Sequence, residues 1–316
     1  MKNKKPTLAI SVGDLNGIGI EIILKEHEKI KKWCHPKYCI NKKMLKEACK
    51  LLNLNIPKDF KLHETKGEFT IKSGRVSRKA GKYSYDSFLE AIHLTNAKKA
   101  QAVVTLPINK ESWNKAGIKY KGHTDVLRDL FGDEAIMMLG CPKMFVALFT
   151  DHIPLKEVAK KIKEEKLTEF LINLYKNINK KNIQVLALNP HASDNGVLGT
   201  EEVQIFKAIK NANKIIDKKV FEGPVVPDTA FTKVNRKKHK HFVAMYHDQG
   251  LTPLKALHFE ESINVSLNLP IIRTSVDHGT AFNIAYENSV QVNTKSYINA
   301  IKEAVNLIRS SELNNK

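Results

Sequence analysis

Residues 145–191 read FVALFTDHIPLKEVAKKIKEEKLTEFLINLYKNINKKNIQVLALNPH, and this stretch decides the fold class. Its apolar runs 145–150 and 183–188 have the length and composition of buried strands, whereas 155–165 and 167–177 repeat apolar side chains at helical spacing. A strand, helices and a second strand in this order build a mainly parallel sheet covered by helices on both faces. The stretch therefore predicts an α/β protein.

The same alternation continues on both sides of this stretch. Further strands are predicted at 7–12, 102–105, 241–246 and 271–276, and further helices at 19–32, 44–52, 84–99, 201–210 and 297–310. Polar and apolar residues alternate within 57–77, which predicts an excursion with antiparallel strands. No repeat or linker marks a boundary, so a second sub-domain is expected from the length of 316 residues alone.

The composition, 42% hydrophobic and 27% charged, excludes collagen-like, disordered and disulfide-stapled classes. No stretch reaches the ~20 consecutive apolar residues of a membrane span. Residues 1–6 are basic, but no apolar export signal follows them. The four cysteines match no metal-finger spacing and are expected to be reduced thiols of a cytoplasmic protein without a membrane partner. They are Cys34, Cys39, Cys49 and Cys141.

The charge balance is strongly basic, since 52 Lys and Arg against 33 Asp and Glu give +19. A dedicated nucleic-acid binder concentrates arginine and aromatic side chains. Here only six residues are arginine, aromatics make up 7%, and the lysines are scattered along helices among glutamates. We therefore predict solvated helix faces and no nucleic-acid partner, with an excess of positive charge that attracts small anionic substrates.

Three of the twelve histidines closely follow predicted strands, namely His152, His191 and His247. Ligands of open α/β sheets bind outside the carboxyl ends of the strands. Three imidazoles at that edge could form the ligand set of a catalytic metal with one open position, although a single histidine after a strand is usually a capping or loop residue. Seven others are expected to be surface or packing residues: His27, His35, His63, His93, His239, His241 and His258.

Two more strand ends carry polar side chains. His123 and Thr124 open a predicted helix, where they could bind an anion, or Thr124 could simply be the N-cap. Arg273 lies in a mostly apolar segment, and such an arginine either pairs with an internal carboxylate or binds an anionic ligand. The first strand–helix turn, GDLNGIG at 13–19, lacks the G-x-G-x-x-G spacing, and no Walker lysine is present.

These segments together resemble the 4-hydroxythreonine-4-phosphate dehydrogenase family of vitamin B6 biosynthesis. The resemblance is densest in LNPHA (188–192), GTEE (199–202), GP (223–224), PDT (227–229), AMYHDQG (244–250) and RTSVDHGT (273–280). It implies an isocitrate/isopropylmalate dehydrogenase-like α/β fold with a central cleft between two sub-domains, 1–121 plus 285–316 and 122–284. It also implies a homodimer in which the partner subunit completes the active site.

The resemblance assigns roles to individual residues. The divalent-metal ligands are His152, His191 and His247, and the metal is zinc, cobalt or magnesium. The substrate-binding residues are His123, Thr124, Lys255, Asn264 and Arg273. The adenosine-binding loop of NAD or NADP corresponds to His278, Gly279, Thr280 and Asn283. Asn283 is neither acidic nor basic and Tyr286 replaces a usual glycine, so the choice between NAD and NADP stays open.

The implied reaction oxidises 4-phosphooxy-L-threonine to 2-amino-3-oxo-4-phosphooxybutanoate, which loses CO₂ to leave 3-amino-2-oxopropyl phosphate. Asp248 and Lys255 are the candidate proton acceptors. Three alternatives stay open at this stage. They are a related dehydrogenase of 4-phosphorylated threonate, an acyl-phosphate transferase on a related fold, and a basic nucleic-acid-binding protein.

Overall fold

The computed structural model describes residues 5–132 and 135–314. The elements in chain order are β1 (Thr7–Ser11), α1 (Gly19–Ile30), β2 (His35–Cys39), α2 (Lys42–Leu52), β3 (Lys61–His63), α3 (Arg78–Asn96), β4 (Ala102–Thr105), α4 (Lys110–Lys115), α5 (His123–Phe131), β5 (Ile136–Cys141), β6 (Met144–Leu148), α6 (Leu155–Lys161), α7 (Glu164–Ile178), β7 (Ile183–Leu186), a 3₁₀ segment (Pro190–Gly196), α8 (Glu201–Ile216), β8 (Phe221–Val225), α9 (Pro227–Ala230), α10 (Lys233–Lys238), β9 (His241–Ala244), α11 (His247–His258), β10 (Ile263–Leu267), β11 (Ile272–Val276) and α12 (Lys295–Asn314).

The chain divides into two compact units. Unit 1 comprises Met1–Ala135 and Leu269–Arg309, and unit 2 comprises Ile136–Asn268 and Ser310–Lys316. The sequence-based division at 121/122 and 284/285 differs from these bounds, because α5 packs Val126 and Leu127 into the core of unit 1 and β11 pairs with β4.

Unit 1 contains a parallel sheet in the order β3-β2-β1-β4-β11. Every residue of β4 is buried, as expected for a strand covered by helices on both faces. Phe88 on α3 and Trp113 on α4 fill the core on one side, and the Trp113 indole N–H donates to Ser84 Oγ at 2.8 Å. Burial of these rings and this hydrogen bond fix α3 against α4.

Gly81 allows α3 and α4 to approach each other closely. A Cβ added at Gly81 would lie 2.1 Å from the carbonyl oxygen of Ser112. We therefore expect Gly81→Ala to reduce the free energy of unfolding by about 3 kcal/mol, because the backbone of α4 must move. At Gly279 an added Cβ meets nothing within 4 Å, so Gly279→Ala is the matched control and should change stability by less than about 0.5 kcal/mol. Urea unfolding curves measure both, and equal stability of the two variants would contradict the close approach.

Unit 2 contains strands in the order β10-β5-β6-β9-β7-β8. β5 is antiparallel to both of its neighbours, whereas β6, β9, β7 and β8 are parallel to one another. The carboxyl ends of the parallel strands therefore meet at one edge of this sheet. The segments that follow β6, β7 and β9 carry His152, His191 and His247.

Most elements expected from the sequence are confirmed within two or three residues, and the mainly parallel sheet is confirmed in both units. The prediction of antiparallel strands within 57–77 is wrong. Its strand β3 pairs parallel to β2, because Asn41 donates from its side-chain amide to the carbonyl oxygens of Thr65 and Gly67 and holds the following segment to the loop after β2. In the described part of the chain, no helix is long and apolar enough to cross a membrane.

Candidate active site

Two of the three strand-end histidines lie next to each other in unit 2. The ring centroids of His152 and His247 are 5.6 Å apart. His152 follows β6 and His247 begins α11 after β9, so the parallel pairing of these strands brings both rings to one edge. Their side chains are 64% and 39% exposed, which leaves both accessible to a ligand.

The third histidine, His191, lies in the 3₁₀ segment with a φ of 53°, a left-handed conformation that is strained for a residue other than glycine. Its side chain is 66% exposed. Across residues 5–132 and 135–314, the groups of three side chains with ligand atoms within 4.8 Å of one another do not include these three histidines. Within one chain the three histidines therefore do not form a ligand group at this distance.

A carboxylate lies beside the Nδ1 atom of each of the three rings. The distances are 3.8 Å from His152 to Asp151, 3.2 Å from His191 to Asp194 and 2.7 Å from His247 to Asp248. A carboxylate at Nδ1 is the usual outer partner of a metal-binding histidine, because it orients the ring and leaves Nε2 for the cation. The three side chains therefore fit a divalent cation chemically.

Gln249 connects the strand ends that carry these histidines. Its side-chain oxygen accepts a hydrogen bond from the Met245 N–H at 2.7 Å, and its amide donates to the Ala187 carbonyl oxygen at 2.7 Å. Met245 follows β9 and Ala187 follows β7, and these two strands are neighbours. The side chain of Gln249 thus fixes the spacing between the loops that follow β7 and β9.

Glu202 fixes the loop that precedes His191, and sequence reasoning missed it. Its Oε1 accepts from the N–H groups of Leu188 and Asn189 at 3.0 and 2.8 Å, and its Oε2 accepts from Asn189 Nδ2 at 2.9 Å. Glu202 is 7% exposed, so these donors stabilise a buried carboxylate. The only sequence signal was the acidic pair Glu201 and Glu202 at the start of α8. Acidic residues at a helix start are ordinarily explained by their favourable interaction with the helix dipole, so this pair did not point to a role in the site.

Arg273 is a buried cation in unit 1, with 2% of its surface exposed. Its Nε and Nη2 donate to the hydroxyl of Thr105 at 3.2 and 2.8 Å. Burial lowers the pKa of the Arg273 guanidinium to about 9. An anionic ligand would compensate the hydration that this charge has lost, which is the electrostatic condition of an anion-binding site.

His123 is buried in the same unit. Its ring packs edge-on against Phe88 and Trp113, with centroid distances of 4.5 and 5.5 Å. Burial, and then the charge of Arg273, lower the pKa of His123 well below its usual value, so its ring is neutral at neutral pH. Among the described residues nothing hydrogen-bonds to its buried Nε2, which leaves this atom available to a ligand.

This neutral histidine predicts a pH dependence of stability. In the unfolded chain His123 has a pKa near 6.5, so below that pH the unfolded state binds a proton that the folded state does not. The free energy of unfolding should therefore fall with decreasing pH by up to about 1.4 kcal/mol per pH unit.

The matched variant is His123→Gln, which should lose less stability than the unmodified chain between about pH 7 and about pH 5.5 in urea unfolding. Asp14, whose pKa burial raises to about 6, and His241, whose pKa burial lowers to about 4, are the same in both proteins. Their contributions cancel in the comparison. Equal acid sensitivity of variant and unmodified chain would contradict a neutral buried His123.

Helix α5 begins at His123 after Gly122, and no side chain caps its first N–H groups. The alternative that Thr124 is the N-cap is therefore wrong, because Thr124 lies inside the helix. N–H groups of a first helical turn without a side-chain cap favour an anion. Thr124 is partly buried beside them, in a position compatible with ligand binding.

The remaining two predicted substrate residues lie in unit 2. Lys255, on α11, has its Nζ 5.2 Å from the ring centroid of Phe259. Asn264, in β10, has a buried Oδ1 that accepts no hydrogen bond from any described residue. A buried amide oxygen without a donor is uncommon and is explained when a ligand supplies the donor. Local sequence pattern would have selected neither residue.

The predicted cofactor loop lies against the first strand–helix turn of unit 1. The carbonyl oxygen of Thr280 accepts from the Ile18 N–H at 3.1 Å, and the Tyr286 hydroxyl donates to the Leu15 carbonyl oxygen at 2.6 Å. Tyr286 has a φ of 63°, which explains why a glycine is usual at this position in the family that the chain resembles.

The predicted cofactor residues of this loop differ in exposure. Gly279 and Asn283 are exposed, and His278 is partly exposed with its Nδ1 3.0 Å from the Gly279 carbonyl oxygen.

Comparison with known proteins identifies the family of the chain. A family model for the pyridoxal phosphate biosynthetic protein PdxA matches residues 32–304. A 4-hydroxythreonine-4-phosphate dehydrogenase of Sulfurimonas denitrificans is 61% identical over 303 residues, covering 96% of this chain and 98% of that protein. One from Campylobacter fetus is 57% identical with the same coverage.

A crystal structure of 4-hydroxythreonine-4-phosphate dehydrogenase from Klebsiella pneumoniae is similar with a TM-score of 0.81 and 28% identity, covering 96% of this chain and 100% of that one. The α/β fold expected from the sequence is confirmed by this likeness. The family match spans most of the chain, and the relatives are matched over nearly their whole length. The chain therefore belongs to the PdxA family of pyridoxal phosphate biosynthetic proteins.

Proposed function

We propose that this chain catalyses the metal-dependent, NAD(P)-linked oxidation of 4-phosphooxy-L-threonine to 2-amino-3-oxo-4-phosphooxybutanoate. That product loses CO₂ to give 3-amino-2-oxopropyl phosphate. The family makes the chain an oxidoreductase of vitamin B6 biosynthesis. The observation that carries the proposal is the set of strand-end histidines, each with a carboxylate beside Nδ1.

His152, His191 and His247 are the proposed metal ligands, and an all-imidazole set suits zinc or cobalt better than magnesium. The bound groups supply Lewis acidity toward the substrate hydroxyl and a nicotinamide that accepts hydride. The chain itself orients His191 and His247 through hydrogen bonds to Asp194 and Asp248, and fixes the strand ends through Gln249. These contacts hold the ligands in place before substrate binds.

The substrate carries a phosphate, a carboxylate and an ammonium group. Arg273 supplies a buried positive charge for an anion, and His123 offers a neutral ring nitrogen in the same unit. Lys255 and Asn264 supply a further cation and a buried amide in unit 2. Thr124 contributes a hydroxyl at the uncapped start of α5.

The proposed cofactor residues are His278, Gly279, Thr280 and Asn283, in the loop that Tyr286 fastens to the first turn. Neither NAD nor NADP is favoured by a charge at Asn283. Initial rates with each cofactor at equal concentration decide between them.

Asp248 and Lys255 remain the proposed proton acceptors. Asp248 Oδ1 lies 2.7 Å from His247 Nδ1, so this carboxylate also orients a metal ligand. The pH profile of kcat in Asp248→Asn and Lys255→Met separates the two. The variant that has lost the proton acceptor should lose the acidic limb of the profile, whereas a positioning defect lowers the whole curve.

The decisive assay is anaerobic NAD(P)H formation from 4-phosphooxy-L-threonine, before chelation, after chelation and after adding back zinc or cobalt. We expect turnover that disappears on chelation and returns with the cation. Parallel assays with 4-phosphorylated threonate test the related activity. Turnover of phosphothreonate alone, or full turnover without metal, would overturn the proposal.

We also propose a homodimer in which His191 reaches the metal site of the other subunit, which is supported by the three histidines not forming a close ligand group within one chain. Mixing inactive His191→Ala with inactive His247→Ala tests this directly. A shared site predicts that refolded mixtures regain about a quarter of the unmodified activity, since half the dimers are mixed and each has one intact site. No recovery in dimers shown to be mixed would place all three ligands in one chain.

A further inference from the structure

A second group of ligating side chains lies in unit 2, formed by Cys141, His258 and Glu261. One ligand atom from each residue lies within 4.8 Å of the other two. Cys141 ends β5, His258 ends α11, and Glu261 lies in the loop that leads into β10. β10 begins beside β5, with Ile263 opposite Gly140, which brings this loop to the end of β5.

This group is separate from the strand-end histidines. Helix α11 begins at His247 and ends at His258, and eleven residue steps at 1.5 Å each separate the two positions by about 16 Å along the helix axis. Cys141 and Met144 bound the turn between β5 and β6, at the end of β6 opposite to the one that leads to His152. The two groups therefore occupy opposite ends of the same helix.

The sulfur of Cys141 has the surroundings of a metal-binding thiolate. The side chain is buried, and burial raises the pKa of the thiol. The N–H groups of Lys143 and Met144 donate to this sulfur and act in the opposite direction, toward the thiolate. Backbone donors to sulfur from a tight turn stabilise the negative form that binds a cation.

His258 supplies an unsatisfied nitrogen to the same group. Its Nε2 is buried, and no hydrogen-bond partner for this atom exists among the described residues. Burial lowers the pKa of His258, which favours the neutral ring that binds metals. A buried imidazole nitrogen beside a thiol and a carboxylate is accounted for if all three bind one ion.

Glu261 completes the group as an oxygen donor. Its Oε1 accepts from Lys143 Nζ at 2.8 Å, and the Glu261 side chain is 28% exposed. Lys143 thus orients the carboxylate in the way that outer partners orient metal ligands. The side of the group at Glu261 stays accessible to solvent, so water can supply a fourth ligand.

We propose that Cys141, His258 and Glu261 form a second divalent-metal site for a zinc-class ion. A thiolate, an imidazole and a carboxylate are ligands of zinc and cobalt, whereas magnesium prefers oxygen ligands alone. Such an ion would link the β5–β6 turn to the end of α11 and to the start of β10. The site lies at the opposite end of α11 from His247, and we assign it a role in stabilising unit 2.

Cobalt substitution provides a specific test, because a sulfur ligand gives an intense thiolate-to-cobalt charge-transfer absorption in the near ultraviolet. The all-histidine group cannot produce this band. We expect the full chain titrated with Co²⁺ to show the band, and Cys141→Ser to lose it. Cys49→Ser, which removes a buried thiol in unit 1, and His191→Ala should both keep it.

His258→Gln is the second variant, and it decides the case if Cys141→Ser does not fold. It should weaken cobalt binding at the sulfur-containing site at least about tenfold. The proposal is overturned by absence of the band at saturating Co²⁺, by its survival in folded Cys141→Ser, or by unchanged affinity in His258→Gln. The band does not depend on turnover, so this result is independent of the proposed catalytic activity.

Discussion

His191→Ala is expected to lower kcat at least about a thousandfold, which corresponds to about 4 kcal/mol of transition-state stabilisation. The physical reason is loss of one ligand from the proposed metal group. The His191 side chain is 66% exposed, and its described polar contact is with Asp194. Removing it therefore costs the fold little, and we expect the melting temperature to change by no more than about 1–2 °C.

The matched control is His239→Ala, which removes another histidine of unit 2 whose ring contacts a backbone carbonyl, that of Asn182. This variant should retain the unmodified kcat. Metal analysis after dialysis should show loss of catalytic metal from His191→Ala alone. Full activity of His191→Ala in the presence of chelator would remove His191 from the reaction.

Arg273→Lys is expected to raise the KM for 4-phosphooxy-L-threonine at least about tenfold, with a smaller change in kcat. The Arg273 guanidinium directs two donors to Thr105, and its planar form holds its N–H groups in fixed directions. A lysine ammonium keeps the charge but cannot reproduce this fork. The loss should therefore fall on substrate binding.

Thr105→Val tests the same contact from the other side. It keeps the shape of a buried side chain but leaves the guanidinium without this acceptor, which costs about 1–3 kcal/mol. We expect a KM increase in the same direction as for Arg273→Lys. Arg309→Lys, at an exposed position of α12, is the control and should behave as the unmodified chain. An unchanged KM in Arg273→Lys would assign the arginine to the core of unit 1 alone.

The fold and much of the candidate site could be predicted from the sequence, because both depend on local signals. Apolar runs in the sequence predict strands β6, β7 and β9. The segments that follow these strands contain the candidate ligands His152, His191 and His247. Their common edge then follows from parallel pairing. The proximity of His152 and His247 is thus a consequence of where two strands end.

Other features depend on contacts between residues far apart in the chain. Thr105 and Arg273 are 168 positions apart, and only the pairing of β4 with β11 brings them together. Cys141 and His258 are similarly remote, so His258 was expected to be an ordinary surface or packing residue. Motifs defined by short spacings along the sequence cannot identify such pairs, because strand register and helix packing determine the distances between these residues.

The amide of Gln249 spans the ends of β7 and β9, so the separation of the loops beyond them is set by two hydrogen bonds within the sheet. A cation arriving at this edge encounters imidazoles whose supporting backbone is already ordered. Little chain entropy is then lost on chelation, and affinity reflects mainly the ligand atoms themselves. Metal uptake at the proposed site is accordingly expected to depend on the folded sheet and not to organise it.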